Sequence, residues 1–256
     1  MDVLKPISID AVTISDAWFQ AVYAAVTEGR TFNIDKGSFA LSKRLELDFV
    51  TIHIRRPWDN PMLPQLNPVL GLPDPVQEGY VEGYSQYLLT PDIDDNEAYT
   101  YGNRLYAQDI TTEVRETNID LLRGIFTSLR SNPCVLLNQV DYMIRTYKAF
   151  GPRNNQMVLQ IAKPSDMSLV DPPCLRHIDT RIQDGALHFF PYFRSWDLWS
   201  GFPANLAIIE MLKQICASEI GVDNGQIIAT SKGLHLYDYT FELSEAVTNN
   251  EIAVRK

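Results

Sequence analysis

The sequence predicts an α+β fold: a mixed β-sheet packed with helices, in a single layered domain over residues 1–256. Three observations carry that expectation. Two strand-like runs, Arg176–Gln183 and Ala186–Phe193, flank Asp184-Gly185, a dipeptide suited to a tight hairpin turn. An amphipathic helix follows over Ala204–Ile220, with Leu206, Ile209, Leu212 and Cys216 recurring along it and Gly221 to close it. Short strand-like runs at Gln156–Ala162, Gln226–Thr230 and Leu234–Tyr239 then extend the sheet around the hairpin.

The remaining elements follow in order. Ser15–Gly29 reads as a helix with Ser15 as N-cap, Trp18, Val22 and Val26 at helical spacing, and Gly29 at its end. Leu45–Ile54 has strand chemistry, with Leu45, Leu47, Phe49, Thr51 and His53 on one alternating set. Six prolines between Pro57 and Pro75 mark an extended excursion. Nothing self-contained precedes it, so it reads as a long loop within one domain. Glu78–Leu89 is a tyrosine-rich helix; Thr111–Leu129 and Leu136–Tyr147 are two more, parted near Ser131-Asn132-Pro133.

Charge excludes one class of partner. With 22 Lys and Arg against 32 Asp and Glu, the net charge of −10 repels a nucleic-acid backbone, though it permits a local cationic pocket for one small anion. Cys134, Cys174 and Cys216 make neither a zinc knuckle nor a disulfide framework, so reduced thiols in the cytoplasm are expected. No apolar run is long enough to span a membrane, and the N-terminus lacks the pattern of a signal peptide. The common phosphate-binding, dinucleotide-binding, zinc-protease and serine-hydrolase motifs are absent. His53, His177, His188 and His235 are scattered without ligand spacing, so no metal is expected.

The unusual residues gather in the last third. Cys174 follows Pro172-Pro173 at the entry to a strand. Taken alone it is a small buried residue, or else a placed thiol. Arg194-Ser195, at the far end of the hairpin, is either a solvated edge or a guanidinium fork and hydroxyl fit to hold phosphate. Asn205 lies near a helix start, and His235 and Tyr237 turn to one sheet face.

Pro172-Pro173-Cys174, Phe193-Arg194-Ser195-Trp196-Asp197, Gly201-Phe202-Pro203-Ala204-Asn205 and His235-Leu236-Tyr237 together resemble the thymidylate synthase family. That family's pattern is Pro-Cys, Arg-Ser-x-Asp, Gly-x-Pro-x-Asn and His-x-Tyr. The intervals here, 20 residues from Cys174 to Arg194, 11 to Asn205 and 30 to His235, agree without gaps. The likeness is strong over Arg153–Tyr239 and fainter over Tyr99–Leu129. Tyr99-Thr100-Tyr101-Gly102-Asn103-Arg104 and the compact N-terminal half look like archaeal and phage forms.

The resemblance implies C5 methylation of deoxyuridine monophosphate, with 5,10-methylenetetrahydrofolate supplying carbon and hydride. Cys174 would be the nucleophile that adds to C6, its ionisation promoted by Arg194. Arg194 and Ser195 would hold phosphate, and His235 and Tyr237 the sugar hydroxyl. Asp197 would contact the uracil carbonyls, Asn205 would read the base edge, and Tyr101 would stand near the thiol. Glu82 would relay protons, with Glu78 second. A homodimer is implied, formed through a sheet face and donating Arg153 to the partner's phosphate. The family's usual Arg-Arg pair is here Arg153-Asn154. Asp171 stands where long forms have an apolar residue, which keeps a pyrimidine-nucleotide hydroxymethylase open as an alternative. A non-catalytic nucleotide-binding protein is a third reading. Ile252-Ala253-Val254 resembles the family's closing tail, but Arg255-Lys256 follow it.

Overall fold

The computed structural model describes residues 3–35, 40–77, 79–95, 97–110 and 136–252. The expected helix over Thr111–Leu129, Cys134, Glu78 and the tail from residue 253 lie outside them.

Three sheets form among the described residues. The largest takes β1 (Pro6–Ala11), β4 (Phe49–Ile54), β7 (Val158–Gln160), β8 (Leu175–Gln183), β9 (Ala186–Phe193) and β11 (Asp223–Ser231), in the order β1-β4-β11-β9-β8-β7. It is mixed: β1 runs parallel to β4 and β11 to β9, while the other neighbours are antiparallel. A second sheet has the order β10-β12-β3-β2, from β2 (Arg30–Asn33), β3 (Lys43–Leu47), β10 (Trp196–Asp197) and β12 (Leu234–Tyr237). Gln108–Asp109 (β5) pairs with Leu136–Leu137 (β6). The helices are α1 (Ile14–Glu28), α2 (Tyr80–Leu89), α3 (Tyr101–Tyr106), α4 (Gln139–Phe150), α5 (Gly201–Ile220) and α6 (Phe241–Thr248). This is the α+β class expected from the sequence.

The hairpin forms as its turn chemistry dictates, with Asp184 at φ 53° and Gly185 at φ 79°. Helix α5 presents Leu206, Ile209, Leu212 and Cys216 to the core and ends at left-handed Gly221. One face of the large sheet, carrying Ile52, Leu187, Phe189, Ile227 and Ala229, is fully buried. The other, with Thr51, His53, Phe190, Tyr192, Ile228 and Thr230, is only half-buried in the single chain.

Several expectations change. Thr13 caps α1 in place of Ser15, because extended Thr13 accepts from the Asp16 N–H (3.1 Å) while Ser15 is already helical. Leu45–Ile54 is two strands in two sheets. The alternation breaks at Asp48, which accepts from the Lys5 N–H (2.8 Å) and pairs with Arg30 (3.0 Å). Leu45 and Leu47 are buried, but beyond the break Val50, Ile52 and Ile54 take the core and Phe49 turns outward. The helix expected from Leu136 starts at Gln139, since Asn138 caps it and the two leucines pair as a strand. Strand β12 stops at Tyr237 in a single-turn helix over Asp238–Thr240. β1, β2, α3 and α6 lie outside the sequence expectation; each is short and is held by its neighbours.

Two anchors set the site. Trp18 of α1 donates its indole N–H to the carbonyls of Leu198 and Trp199, each at 3.0 Å. Gly102 lets α3 approach the chain after α2, where a Cβ would strike the Thr90 carbonyl.

Candidate active site

Strand pairing brings the separated motifs together. The Arg194 N–H donates to the Cys174 carbonyl (2.9 Å), so the two residues face each other across the β8–β9 pair. Asp197 and His235 are partners in the parallel β10–β12 pair. Helix α5 begins four residues after Asp197 and carries Asn205 in its second turn.

Cys174 is half-buried, and burial pushes its thiol above the ordinary value. Arg194 and Arg176 oppose that shift, and Asp171 and Asp197 add to it. Arg194 acts on the thiol in the expected direction, and burial works against it. The guanidinium is occupied locally: Nε donates to the Pro173 carbonyl (3.1 Å), and one terminal nitrogen to the Pro172 carbonyl and to Asp171 Oδ1 (3.3 Å). Arg194 thus clamps the double-proline loop that presents Cys174. Ser195, half-buried, lies in the link from β9 to β10.

Asp197 serves the backbone. Its Oδ1 accepts from the Trp199 N–H (3.2 Å), and its Oδ2 from those of Ser200 (3.2 Å) and Gly201 (2.8 Å), capping α5. His235 is buried, and its Nδ1 lies 2.8 Å from the Gly233 carbonyl. A carbonyl only accepts, so Nδ1 carries the proton and Nε2 is left as a buried acceptor without a hydrogen-bond partner among the described residues. Burial holds this imidazole below its ordinary value. The Tyr237 ring meets it edge-on at 4.7 Å.

Above the thiol lies a row of tyrosines. Tyr80, Tyr84 and Tyr87 of α2 stack in succession (5.8 and 5.3 Å), and Tyr87 meets Tyr101 edge-on (5.2 Å). Buried Tyr101 accepts from the Leu175 N–H (3.3 Å), next to the thiol. Burial, then the charge of neighbouring tyrosine and Cys174, pushes both Tyr84 and Tyr101 well above the usual phenol range. Asn205 donates from Nδ2 to the Tyr84 hydroxyl (3.1 Å) and accepts at Oδ1 from Trp196 Nε1 (3.0 Å).

Two expected residues are not brought into this cluster. Glu82 is two residues from Tyr84, so it points to the other side of α2. It is exposed and lines a cavity of about 760 Å³ with Met62, Val76, Ala207 and Met211. Arg153 lines a pocket with Gln183, Asp184 and Gly185, at the opposite end of β8 from Cys174. Tyr84 and Trp196 are participants that sequence reasoning missed as polar partners. The i, i+4, i+7 spacing of Tyr80, Tyr84 and Tyr87 was the available signal for the first.

A family profile described as "Thymidylate synthase" matches residues 97–253, more than half of the sequence. The chain belongs to the thymidylate synthase family. Members of that family are methyltransferase-type enzymes that bind a nucleotide and a folate and use methylenetetrahydrofolate as cosubstrate. Two archaeal relatives, each named "Putative thymidylate synthase", match nearly end to end. The Methanosarcina acetivorans protein is 24% identical over 93% of both chains. That of Methanothermobacter thermautotrophicus is 26% identical over 94% of this chain and 97% of its own. The thymidylate synthase of Listeria monocytogenes is 30% identical over 107 residues, 41% of this chain and 34% of that one. Thermostable thymidylate synthase A from Bacillus subtilis shares the fold at a TM-score of 0.63 and 16% identity, covering 94% of this chain and 86% of that one. Among the described residues, no group of three or more acidic, histidine or cysteine side chains could hold a metal ion, and no helix is long and apolar enough to cross a membrane.

Proposed function

We propose that this protein is a thymidylate synthase acting in the cytoplasm as a homodimer, converting deoxyuridine monophosphate to thymidylate. The carrying observation is the convergence of Cys174, Arg194 and Asn205 in a family member: a placed thiol, a guanidinium and an oriented carboxamide. The Cys174 sulfur adds to C6 of the uracil ring, which makes C5 nucleophilic. Arg194 and Arg176 stabilise the thiolate as it forms, offsetting the burial that favours the thiol. The methylenetetrahydrofolate cosubstrate supplies the one-carbon unit and the hydride. Tyr80, half-exposed at the outer end of the stacked row, offers it a ring face.

The unpartnered Nε2 of His235 fits a sugar hydroxyl, with Tyr237 beside it. Arg194 and Ser195 receive the phosphate, and Asp197 shapes the base pocket by holding the start of α5. Tyr101 fixes the strand entry that carries the thiol. The half-buried face of the large sheet supports the dimer, since its large apolar side chains Phe190, Tyr192 and Ile228 would be covered by a second copy. Arg153 would act in the partner's site, being far from its own thiol. Glu82 remains the proposed proton relay only if α2 turns when ligands bind.

A second reading, a pyrimidine-nucleotide hydroxymethylase, is favoured by one observation. Asp171, 73% exposed at its side chain, pairs with Arg194 beside the thiol loop and keeps that approach wet. One incubation separates the two. With deoxyuridine monophosphate and methylenetetrahydrofolate, a synthase yields a methylated product by mass spectrometry and a rise in dihydrofolate absorbance. A hydroxymethylated product with flat absorbance would replace the first reading with the second, and no product from this nucleotide or from its cytosine counterparts would remove both.

A further inference from the structure

We propose that Trp196 is the residue that makes Asn205 selective between uracil and cytosine, by locking its carboxamide in one of two flips; this rests on the nucleotide reading above. A carboxamide is nearly symmetric in shape but not in chemistry. One flip offers a donor to O4 and an acceptor to N3–H of uracil, and the other fits cytosine N3 and its amino group. Asparagine alone therefore does not decide between the bases, and something must hold its orientation.

The two neighbours of Asn205 differ in what they can impose. The Tyr84 hydroxyl, 3.1 Å from Nδ2, can donate or accept, so it tolerates either flip. The Trp196 indole N–H, 3.0 Å from Oδ1, is a donor with no acceptor role. Flipping Asn205 would set N–H against N–H inside the site, leaving the indole unpaired. Trp196 cannot move aside to permit it. It is 2% exposed, stacked on Phe193 at 3.9 Å and tilted against Phe202 at 4.7 Å. Its backbone N–H donates to the Gly233 carbonyl (2.9 Å), which ties it to β12. With one Oδ1 lone pair and one Nδ2 hydrogen taken, half-buried Asn205 keeps one acceptor and one donor position for a base. Trp196 is thus a positioning residue that acts through Asn205.

The test is a double-substitution cycle on the dimeric enzyme, titrated with deoxyuridine and deoxycytidine monophosphates. Trp196→Phe keeps the ring stack and removes the N–H. The ratio of the two dissociation constants is expected to fall about tenfold, the worth of one hydrogen bond, chiefly through tighter binding of the cytosine nucleotide. In an Asn205→Asp background the same change should leave the ratio unmoved, because a carboxylate has no flip to lock. A merely structural role would shift both backgrounds alike. Should Trp196→Phe fail to fold, replacing Trp196 with benzothienylalanine exchanges only the N–H for sulfur, and the same fall is expected. A wild type that discriminates, with variants that discriminate equally well, overturns the assignment and leaves the function standing. A wild type that binds neither nucleotide overturns the function itself.

Discussion

Helix α5 carries a polar cluster at each end, and the two are built in opposite ways. Toward its C-terminal half, Glu210 and Lys213 are both fully buried and paired at 2.6 Å. Asn224 (2.6 Å) and Gln214 (3.0 Å) also donate to the Glu210 carboxylate, and the Lys213 ammonium reaches the Gly225 carbonyl. At the N-terminal end Asn205 and Cys174 are half-buried, and His235 Nε2 has no hydrogen-bond partner among the described residues. The first cluster pairs its two charges with each other inside the chain, with Asn224 Oδ1 left over; the second contains no such internal ion pair, and its polar groups are neutral side chains. Both are costly to desolvate, and the first is the costlier because it buries full charges. What separates the two ends is a charge pair neutralised within the chain at one and half-buried, uncharged side chains at the other.

The two described cysteines sharpen the contrast most. Cys174→Ala should lower turnover by at least about 10⁴-fold and abolish the covalent adduct with 5-fluoro-dUMP seen by mass spectrometry. Cys216, fully buried on α5, is pushed up to about 12 by burial and by Glu219, so Cys216→Ala should keep the adduct and change only stability. An adduct surviving in Cys174→Ala would break the comparison.

Next in size is the ion-paired cluster. Lys213→Met leaves the buried Glu210 carboxylate without its cation, and should cost about 3–5 kcal/mol in urea unfolding. Adding Glu210→Leu should recover much of that. A single variant as stable as wild type would erase the distinction between the two ends.

Smaller still, Arg194→Gln should weaken binding of deoxyuridine monophosphate by about 10–100-fold in calorimetry, the range for a charge-assisted contact. Because Arg194 lowers the Cys174 value against burial, its loss should also move thiol alkylation to higher pH. Unchanged alkylation would mean the guanidinium only braces the loop.

The smallest effect is acid sensitivity. Burial holds His177, His188 and His235 below the ordinary imidazole value. The unfolded chain therefore takes up these protons first as pH falls. Their stabilisation is present above about pH 6.5 and is lost as pH drops toward the folded values. The urea midpoint should fall across that window, and less so in His188→Asn; an equal fall would clear His188 of the effect.

Much of this was legible in the chain itself. The Asp184-Gly185 hairpin, helix α5 and the intervals among Cys174, Arg194, Asn205 and His235 depend on local backbone preference and on periodicity, which sequence reports directly. Such signals say which face a residue occupies, not which polar atom it meets. The break at Asp48 flips a strand because of contacts with Lys5 and Arg30, both distant in sequence. The rotation of α2 turns Tyr84 rather than Glu82 toward Asn205. Burial raises the Cys174 thiol while Arg194 beside it lowers it, and only the first of these is invisible in the motif. Motif spacing alone singled out a thiol, a guanidinium and a carboxamide as candidates for one site. Tertiary packing alone decided their burial, their orientation and their hydrogen-bond partners, because those depend on distances between elements that local sequence does not encode.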